Sequence, residues 1–195
     1  MPRFHCDQPL APGRHVELPT EAARHAVGVL RLRDGDAVTL FNGDGAEYPA
    51  TLELRGKNVF ARISGRVESE RESPLRIILA QGISSGERMD LTLQKAVELG
   101  IGAVRPLMMR RTVVKLAGEK VERRLRHWRG VVISACEQCG RNSVPPVEPI
   151  EEALVWLKSA EVGATPHRFL LDPEGTAGLA EQPAPTGPVL LLAGP

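Results

Sequence analysis

Residues 76–108 have the sequence RIILAQGISSGERMDLTLQKAVELGIGAVRPLM. Residues 76–81 form an apolar run, which is typical of a strand buried on both faces of a sheet. Residues 102–108 (GAVRPLM) form a second run of the same kind. The segment between them has helical character. This order predicts a strand, a helix and a second strand, which is the repeating unit of a parallel α/β sheet.

The predicted helix has identifiable ends. A stripe of apolar residues at helical spacing is formed by Met89, Leu93, Ala96 and Val97. Ser84 and Glu87 have the spacing of a capping box, so we expect the helix to begin beside them. Gly100 follows the stripe, where a C-terminal glycine cap is expected. Downstream, we expect a long helix at 119–139 and two more buried strands at 167–172 and 188–194, which would complete a mostly parallel sheet.

The first seventy residues have a different pattern, typical of β structure. Residues 36–54 alternate around Asn42-Gly43-Asp44-Gly45, a strong hairpin motif, and residues 58–68 alternate again. Residues 20–32 predict one short helix with Thr20 as its N-cap. Short strands at this spacing favour a compact barrel or sandwich.

A charged, turn-rich bridge at 68–76 ends this region and contains Pro74. We therefore predict two domains, 1–70 and 74–195. The apolar runs are too short to span a bilayer, the N-terminus lacks the apolar region of a signal peptide, and three cysteines make a poor disulfide framework. These features favour a reducing cytoplasm.

The net charge of +1 hides an asymmetry along the chain. Residues 1–72 carry a net charge of −1, residues 73–142 carry +7, and residues 143–195 carry −5. The cations of the middle segment are mostly arginines, whose guanidinium groups match phosphate geometry. The charge pattern is compatible with a solvated, ion-paired surface, or with a surface that binds nucleic acid or a nucleotide.

Residues 135–142, ACEQCGRN, contain a Cys-x-x-Cys pair. One apolar face of the long helix is formed by Val121, Leu125, Trp128, Val132, Ala135 and Cys139, with Cys136 at its border. The thiols would then lie at the end of a helix, where its dipole disfavours a thiolate. A zinc site would need two further ligands at suitable spacing. We interpret both cysteines as small buried apolar residues and predict no metal. Arg141 and Asn142 follow the expected cap at Gly140, and are either site residues or a surface arginine and a capping asparagine.

Several common nucleotide-binding and hydrolase motifs are absent from the sequence: the P-loop, Gly-x-Gly-x-x-Gly after the first buried strand, Gly-x-Ser-x-Gly and His-Glu-x-x-His. The last run, PVLLLAGP, ends in Gly-Pro. Ligands of open α/β sheets bind beyond the carboxyl ends of strands, so this end is a candidate ligand site.

Five segments resemble the bacterial ribosomal RNA small subunit methyltransferase E family, a branch of the SPOUT (trefoil-knotted) methyltransferases. They are HAVGVLRLRDGDAVTLFNGDG, RESPL, SSGERMDLTLQKAVELGIGAVRPL, ACEQCGRNSVPP and LLLAGP. The resemblance implies a PUA-like β-barrel that helps to bind RNA, followed by an α/β domain that binds S-adenosylmethionine and dimerises. It also implies methylation of a uridine N3 in 16S ribosomal RNA, in the cytoplasm and without a membrane.

The resemblance departs at the last residue. In the family, Gly-Pro is followed by Glu-Gly-Gly, another strand and helix, and a Leu-Arg-x-Glu-Thr motif that belong to the knot and the cofactor pocket. The present chain ends at Pro195, with this knot segment missing. We therefore expect these residues alone to bind the cofactor weakly, which a micromolar affinity would contradict.

The resemblance suggests three sets of site residues. The proposed groups at the uridine are Arg141 and Asn142, as stabilisers of the anion, and Glu137, as a possible base. The proposed cofactor-lining residues are Leu171, Leu192, Ala193, Gly194 and Pro195. The proposed RNA-binding residues are His25, Arg31, Arg33, Arg88, Arg110 and Arg111. We expect Arg141→Ala to lower turnover without unfolding the protein. A non-catalytic RNA-binding module for ribosome assembly is the alternative function.

Overall fold

The computed structural model describes residues 1–110 and 118–195. These residues divide into two compact units. The first unit comprises residues 1–72 and 136–144, and the second comprises residues 73–135 and 145–195. The division after residue 72 lies within the charged bridge. Residues 136–144, the ACEQCGRN cysteines included, pack with the first unit although they follow the long helix of the second.

The first unit is built on a mostly antiparallel sheet, in which only the pair of the first and third strands is parallel. Its strands are β1 (Arg3–His5), β2 (His15–Glu17), β3 (Ala37–Phe41), β4 (Ala46–Arg55), β5 (Asn58–Ile63) and β6 (Val67–Glu68). The strand order is β1-β3-β4-β5-β2, with β6 paired to β4. The β3–β4 hairpin turns at Asn42–Gly45, as predicted. Buried side chains of alternating strand positions, such as Phe4, Val38, Leu40, Leu52 and Ile63, form the core.

The predicted short helix of the first unit begins differently from the expectation. Helix α1 (Thr20–Arg24) has Pro19 at its N-cap with no side-chain cap hydrogen bond, so the N-cap role predicted for Thr20 is wrong. The helix continues as a π-helical turn (His25–Val29), and Arg31 then takes a left-handed backbone conformation with φ of 56°. π-helical turns and left-handed non-glycine residues are rare in proteins overall, and those that occur are often found at functional sites.

The second unit is a parallel α/β sheet, which confirms the predicted fold class. Its strands are β7 (Ile77–Gly82), β8 (Ala103–Met108), β9 (Glu151–Glu152), β10 (His167–Leu171) and β11 (Val189–Ala193). The order is β10-β11-β7-β8-β9, and every neighbouring pair is parallel. The helices are α2 (Glu87–Glu98), α3 (Glu119–Cys139), α4 (Ala153–Trp156) and α5 (Ala160–Ala164), and a 3-10 turn lies at Leu179–Glu181.

Three expectations for the second unit need correction. Gly86, with φ of 53°, is the N-cap of α2, and no side chain caps this end, so the Ser84–Glu87 capping box is wrong. Strand β10 was expected to be buried on both faces, but it is an edge strand, and Leu170 and Leu171 are exposed. Helix α3 has the predicted bounds, yet Cys136 is the buried cysteine and Cys139 is exposed.

No helix within the described residues is long and apolar enough to cross a membrane.

Candidate functional site

The carboxyl ends of β10, β11, β7 and β8 lie along one edge of the sheet of the second unit. Register places Leu171 beside Ala193, and Ala193 beside Gln81. The chain leaves the sheet at this edge through Gly194 and Pro195. This edge is where parallel α/β sheets bind their ligands.

Gln81 fixes the turn at the end of β11. Its side-chain Nε2 donates hydrogen bonds to the carbonyl oxygens of Gly194, at 2.7 Å, and Gly82, at 3.0 Å. Because proline has no backbone N–H, Pro195 cannot donate the next hydrogen bond of the ladder to β7. The buried Gln81 amide therefore holds the carbonyl that precedes this proline.

Gly82 leaves room for the same turn. A Cβ atom at position 82 would lie 3.0 Å from the Pro195 nitrogen and Cδ and 3.0 Å from Met109 Cγ. Real Cβ atoms rarely make such close contacts, so a larger residue at position 82 would push Pro195 or Met109 away from the end of β7. Gly194 has the opposite surroundings, because a Cβ atom there would meet nothing within 4 Å. No described residue therefore blocks the approach of a ligand to the backbone of Gly194.

The five predicted cofactor-lining residues all lie at this edge. Leu171 is 45% exposed, Leu192 and Ala193 are half-buried, and Gly194 and Pro195 are exposed. Leu192 packs partly against the core of the second unit. Exposed apolar side chains beside an open backbone suit the flat, apolar face of a nucleoside.

The sequence prediction missed Gln81 and Gly82. A polar residue followed by glycine at the end of an otherwise apolar strand was the pattern that could have identified them. Nothing local in the sequence shows that their partners are the Gly-Pro more than a hundred residues downstream.

Arg141 and Asn142 are buried in the first unit, with exposures of 7% and 2%. The Arg141 guanidinium donates to both carboxylate oxygens of Glu72, with Nε at 3.2 and 3.1 Å, and forms an ion pair with it. Asn142 accepts from Arg3 Nη2 at 2.5 Å and donates through Nδ2 to the Gly45 carbonyl at 3.2 Å. The interpretation of Arg141 as a surface arginine is therefore wrong.

Two more contacts hold the same loop. Arg71 donates to the Gly140 carbonyl at 3.1 Å and forms an ion pair with Glu47 at 3.1 Å, and Arg3 binds Glu47 at 2.6 Å. Gly140 has φ of 86°, and a Cβ atom there would lie 2.8 Å from Arg71 Nη1. The loop after α3 is thus positioned by paired charges of the first unit.

Glu137 lies in the last turn of α3 and accepts a hydrogen bond from the His5 backbone N–H at 3.0 Å. Burial raises the pKa of Glu137, while the His5 N–H and the charges of His25 and Arg3 oppose that shift. A carboxylate with a raised pKa binds a proton more tightly than an ordinary glutamate does. The role of Glu137 as the base at the uridine stays a prediction.

This raised pKa has a consequence for stability. The folded first unit holds the Glu137 proton more tightly than the unfolded chain, so its stability falls as pH rises from the ordinary value of 4.5 through the raised pKa. We expect Glu137→Gln, whose side-chain carbonyl still accepts from His5, to stabilise the unit at neutral pH and to flatten this dependence. Amide hydrogen exchange of β3–β5 between pH 5 and 8 measures both effects.

The control for this measurement is Glu68→Gln, because Glu68 is a glutamate of the same unit whose side chain is exposed. Coincident pH profiles for the wild type and Glu137→Gln would contradict the expectation. If Glu137 is also the base, its glutamine variant loses turnover while remaining more stable than the wild type.

The two buried thiols of the first unit, Cys6 and Cys136, are unreactive because of their environment. Burial raises the pKa of Cys136 to about 12, and burial together with the nearby Glu137 raises that of Cys6 to about 12. A thiol of this pKa has almost no thiolate at neutral pH. Within residues 1–110 and 118–195, no three side chains of the His, Cys, Asp and Glu types are grouped as metal ligands.

The predicted RNA-binding residues fall into both units. His25, Arg31 and Arg33 lie on the exposed turn after α1, where His25 also contacts the Phe4 ring edge-on at 6.0 Å. Arg88 and Arg110 are exposed residues of the second unit. Arg111 lies outside the described residues. The first three residues share their turn with exposed Val27, Val29 and Leu30, which gives it both cationic and apolar character.

Comparison with known proteins places both units in RNA methyltransferases. Residues 71–195 match the RNA methyltransferase domain family, and residues 18–64 match the RNA methyltransferase PUA domain. Among curated proteins, ribosomal RNA small subunit methyltransferase E of Buchnera aphidicola (Schizaphis graminum) is 29% identical over 200 residues, with 100% of this chain and 78% of the relative covered.

Two solved structures are similar along nearly the whole chain. The ribosomal RNA small subunit methyltransferase E of Neisseria gonorrhoeae, bound to S-adenosyl methionine, is 40% identical with a TM-score of 0.91, covering 100% of this chain and 80% of that protein. The putative methyltransferase Lpg2936 of Legionella pneumophila, in complex with the same cofactor, is 37% identical with a TM-score of 0.89, covering 97% and 78%.

Proposed function

Because the chain belongs to the ribosomal RNA small subunit methyltransferase E family, we propose that the protein transfers the methyl group of S-adenosylmethionine to N3 of a uridine in 16S ribosomal RNA. The observation that carries this proposal is the sheet edge at Gly194. There the Gln81 amide holds the Gly194 carbonyl, and Gly82, which has no side chain, leaves room for Pro195. A relative of the same fold has been solved with this cofactor bound.

The residues at the edge fit the cofactor. The exposed Leu171 and half-buried Leu192 offer apolar contacts to the adenosine, and the open backbone of Gly194 permits close approach. The bound cofactor supplies a sulfonium methyl group that is already activated for transfer. The residues of the edge would orient this group so that the acceptor nitrogen can attack in line.

The acceptor must lose a proton, since uridine N3 is a weak nucleophile while protonated. The N3–carbon bond forms as the sulfur–carbon bond breaks, and the N3 proton passes to a base, for which we propose Glu137. For Arg141 and Asn142 the proposed contact with the uridine oxygens stays a prediction. Their hydrogen-bonding partners in the first unit favour a role in positioning the loop beside Glu137.

We assign RNA contacts to the exposed turn of the first unit, through His25, Arg31 and Arg33, and to Arg88 and Arg110 of the second. The proposed substrate context is the small ribosomal subunit, the proposed assembly is a homodimer, and the proposed location is the cytoplasm. Exposed Arg side chains beside apolar side chains suit a nucleic acid, because they bind phosphates while the apolar groups contact bases and sugars.

Deletion of the gene tests the proposed activity directly. We expect 3-methyluridine to disappear from 16S ribosomal RNA of the deletion strain, because the transfer would have no other catalyst, and to return on complementation. Nucleoside mass spectrometry of purified 16S RNA measures this change, with the other methylated nucleosides of the same sample as internal controls. Persistence of 3-methyluridine in the deletion strain contradicts the proposed activity and favours a non-catalytic role in ribosome assembly.

A further inference from the structure

Helix α3 presents a cationic face to solvent. Its apolar side buries Leu125, Trp128 and Val132 in the second unit. Lys120, Arg123, Arg126 and Arg129 are exposed, and at three-residue spacing they form a band that winds across the solvent-exposed part of the helix. We call these four residues the α3 cationic face. With a rise of about 1.5 Å per residue, they extend about 14 Å along the helix.

The arginines of this face differ in their partners from Arg105 and Arg141, which carboxylates hold. Arg105 is bound by Glu161 at 2.6 Å and Glu151 at 3.3 Å, and Arg141 is bound by Glu72. Within residues 1–110 and 118–195, by contrast, the four residues of the α3 cationic face form no ion pair shorter than 4.0 Å. The remaining residues, 111–117 (RTVVKLA), contain no Asp or Glu that could neutralise them.

The acidic groups near this face offset only part of its charge, because Glu119 and Glu122 stand one turn before two of its four cations. Glu119 and Glu122 lie in the first turn of α3, where carboxylates are favourable for the helix dipole. Asp90 of α2 contacts His127 at 2.8 Å and lies beside the middle of the helix. The exposed face therefore keeps an excess of positive charge, and no carboxylate of residues 1–110 or 118–195 forms an ion pair with its guanidinium groups.

We propose that the α3 cationic face binds the sugar-phosphate backbone of the RNA substrate, an inference that rests on the proposed function. Guanidinium groups bind phosphate oxygens in pairs, which suits an RNA backbone. A protein partner is less well matched, because protein interfaces have apolar or aromatic anchors at their centre and the exposed residues 119–130 of this face include none.

The test is the salt dependence of binding to a 16S ribosomal RNA transcript by the full-length gene product. The variant R123Q/R126Q/R129Q keeps good helix formers and removes three cations. We expect its plot of log binding constant against log salt to be shallower by about 2, because each lost phosphate contact removes roughly 0.7–0.9 from the slope. Affinity at moderate salt should fall at least tenfold, with the melting temperature and the cofactor dissociation constant unchanged.

A matched control removes the same charge elsewhere. The variant R14Q/R55Q/R62Q changes three arginines of the first unit, of which Arg55 and Arg62 are already paired with Glu53. A larger loss of slope in the α3 variant than in this control supports the proposal. If the two variants lose the same amount of slope, the proposal is overturned. It is also overturned if the α3 variant keeps the wild-type slope for RNA but binds an acidic protein less tightly than the wild type does.

The result is separable from the activity. Should 3-methyluridine persist in the deletion strain, the proposed methylation fails whatever the slopes are. When methylation depends on the gene but the α3 variant keeps the wild-type slope, the α3 proposal alone fails.

Discussion

Gly82→Val is expected to weaken S-adenosylmethionine binding by more than tenfold. A side chain at this position would overlap Pro195, whose nitrogen and Cδ lie 3.0 Å from the place of the new Cβ. The turn would have to move away from β7 and would lose the Gln81 hydrogen bond to the Gly194 carbonyl. Overpacking of this kind also costs about 1–3 kcal/mol of stability, so the melting temperature should fall. Titration calorimetry on the full-length gene product measures the affinity.

Two further glycines make this experiment specific. Gly194→Ala adds a methyl group where the protein has nothing within 4 Å, so it should weaken cofactor binding without lowering the melting temperature. Gly130→Ala adds a methyl group to open space on α3 and should leave cofactor binding unchanged. If Gly82→Val binds the cofactor with the wild-type affinity, the sheet edge at Gly194 is not the cofactor site.

The repeating elements were predictable because their patterns are local. In the strand at 76–81 the apolar residues are consecutive because both faces are buried. In α3 the apolar residues recur every three to four positions because one side of the helix is buried. Both elements lie where the sequence predicted them. Helix starts were less predictable, since Thr20 and Ser84 are good capping residues by type. The backbone instead begins these helices after Pro19 and Gly86. Side-chain type alone does not fix the residue at which a helix starts.

The candidate site was predictable only in part, because its decisive contacts join distant segments. The strand ends that carry Leu171 and Gly194 were identified, since strand ends can be read from the sequence. The bond from Gln81 to Gly194 could not be identified, because it depends on the order β11-β7 in the sheet. Likewise, a charge count treats Arg105 as a surface cation, whereas the fold surrounds it with Glu148, Glu151 and Glu161.

Arg141→Ala is expected to destabilise the first unit by about 2–3 kcal/mol, in contrast to the expectation from the sequence that it would lower turnover alone. Removing one partner of a buried ion pair costs about 3–5 kcal/mol, because the other charge stays behind without a partner. The Glu72 side chain is 37% exposed, so water compensates part of that loss.

Amide hydrogen exchange of β3–β5 reports on the first unit separately from the second. The control is Arg24→Ala, whose ion pair with Glu21 is exposed and should leave exchange nearly unchanged. In a double-mutant cycle with Glu72→Gln, the two changes should be strongly non-additive, because each removes the same pair. Loss of turnover in Arg141→Ala with unchanged exchange would instead place the guanidinium at the uridine, since a group that acts only on the substrate contributes nothing to the protection of the barrel strands.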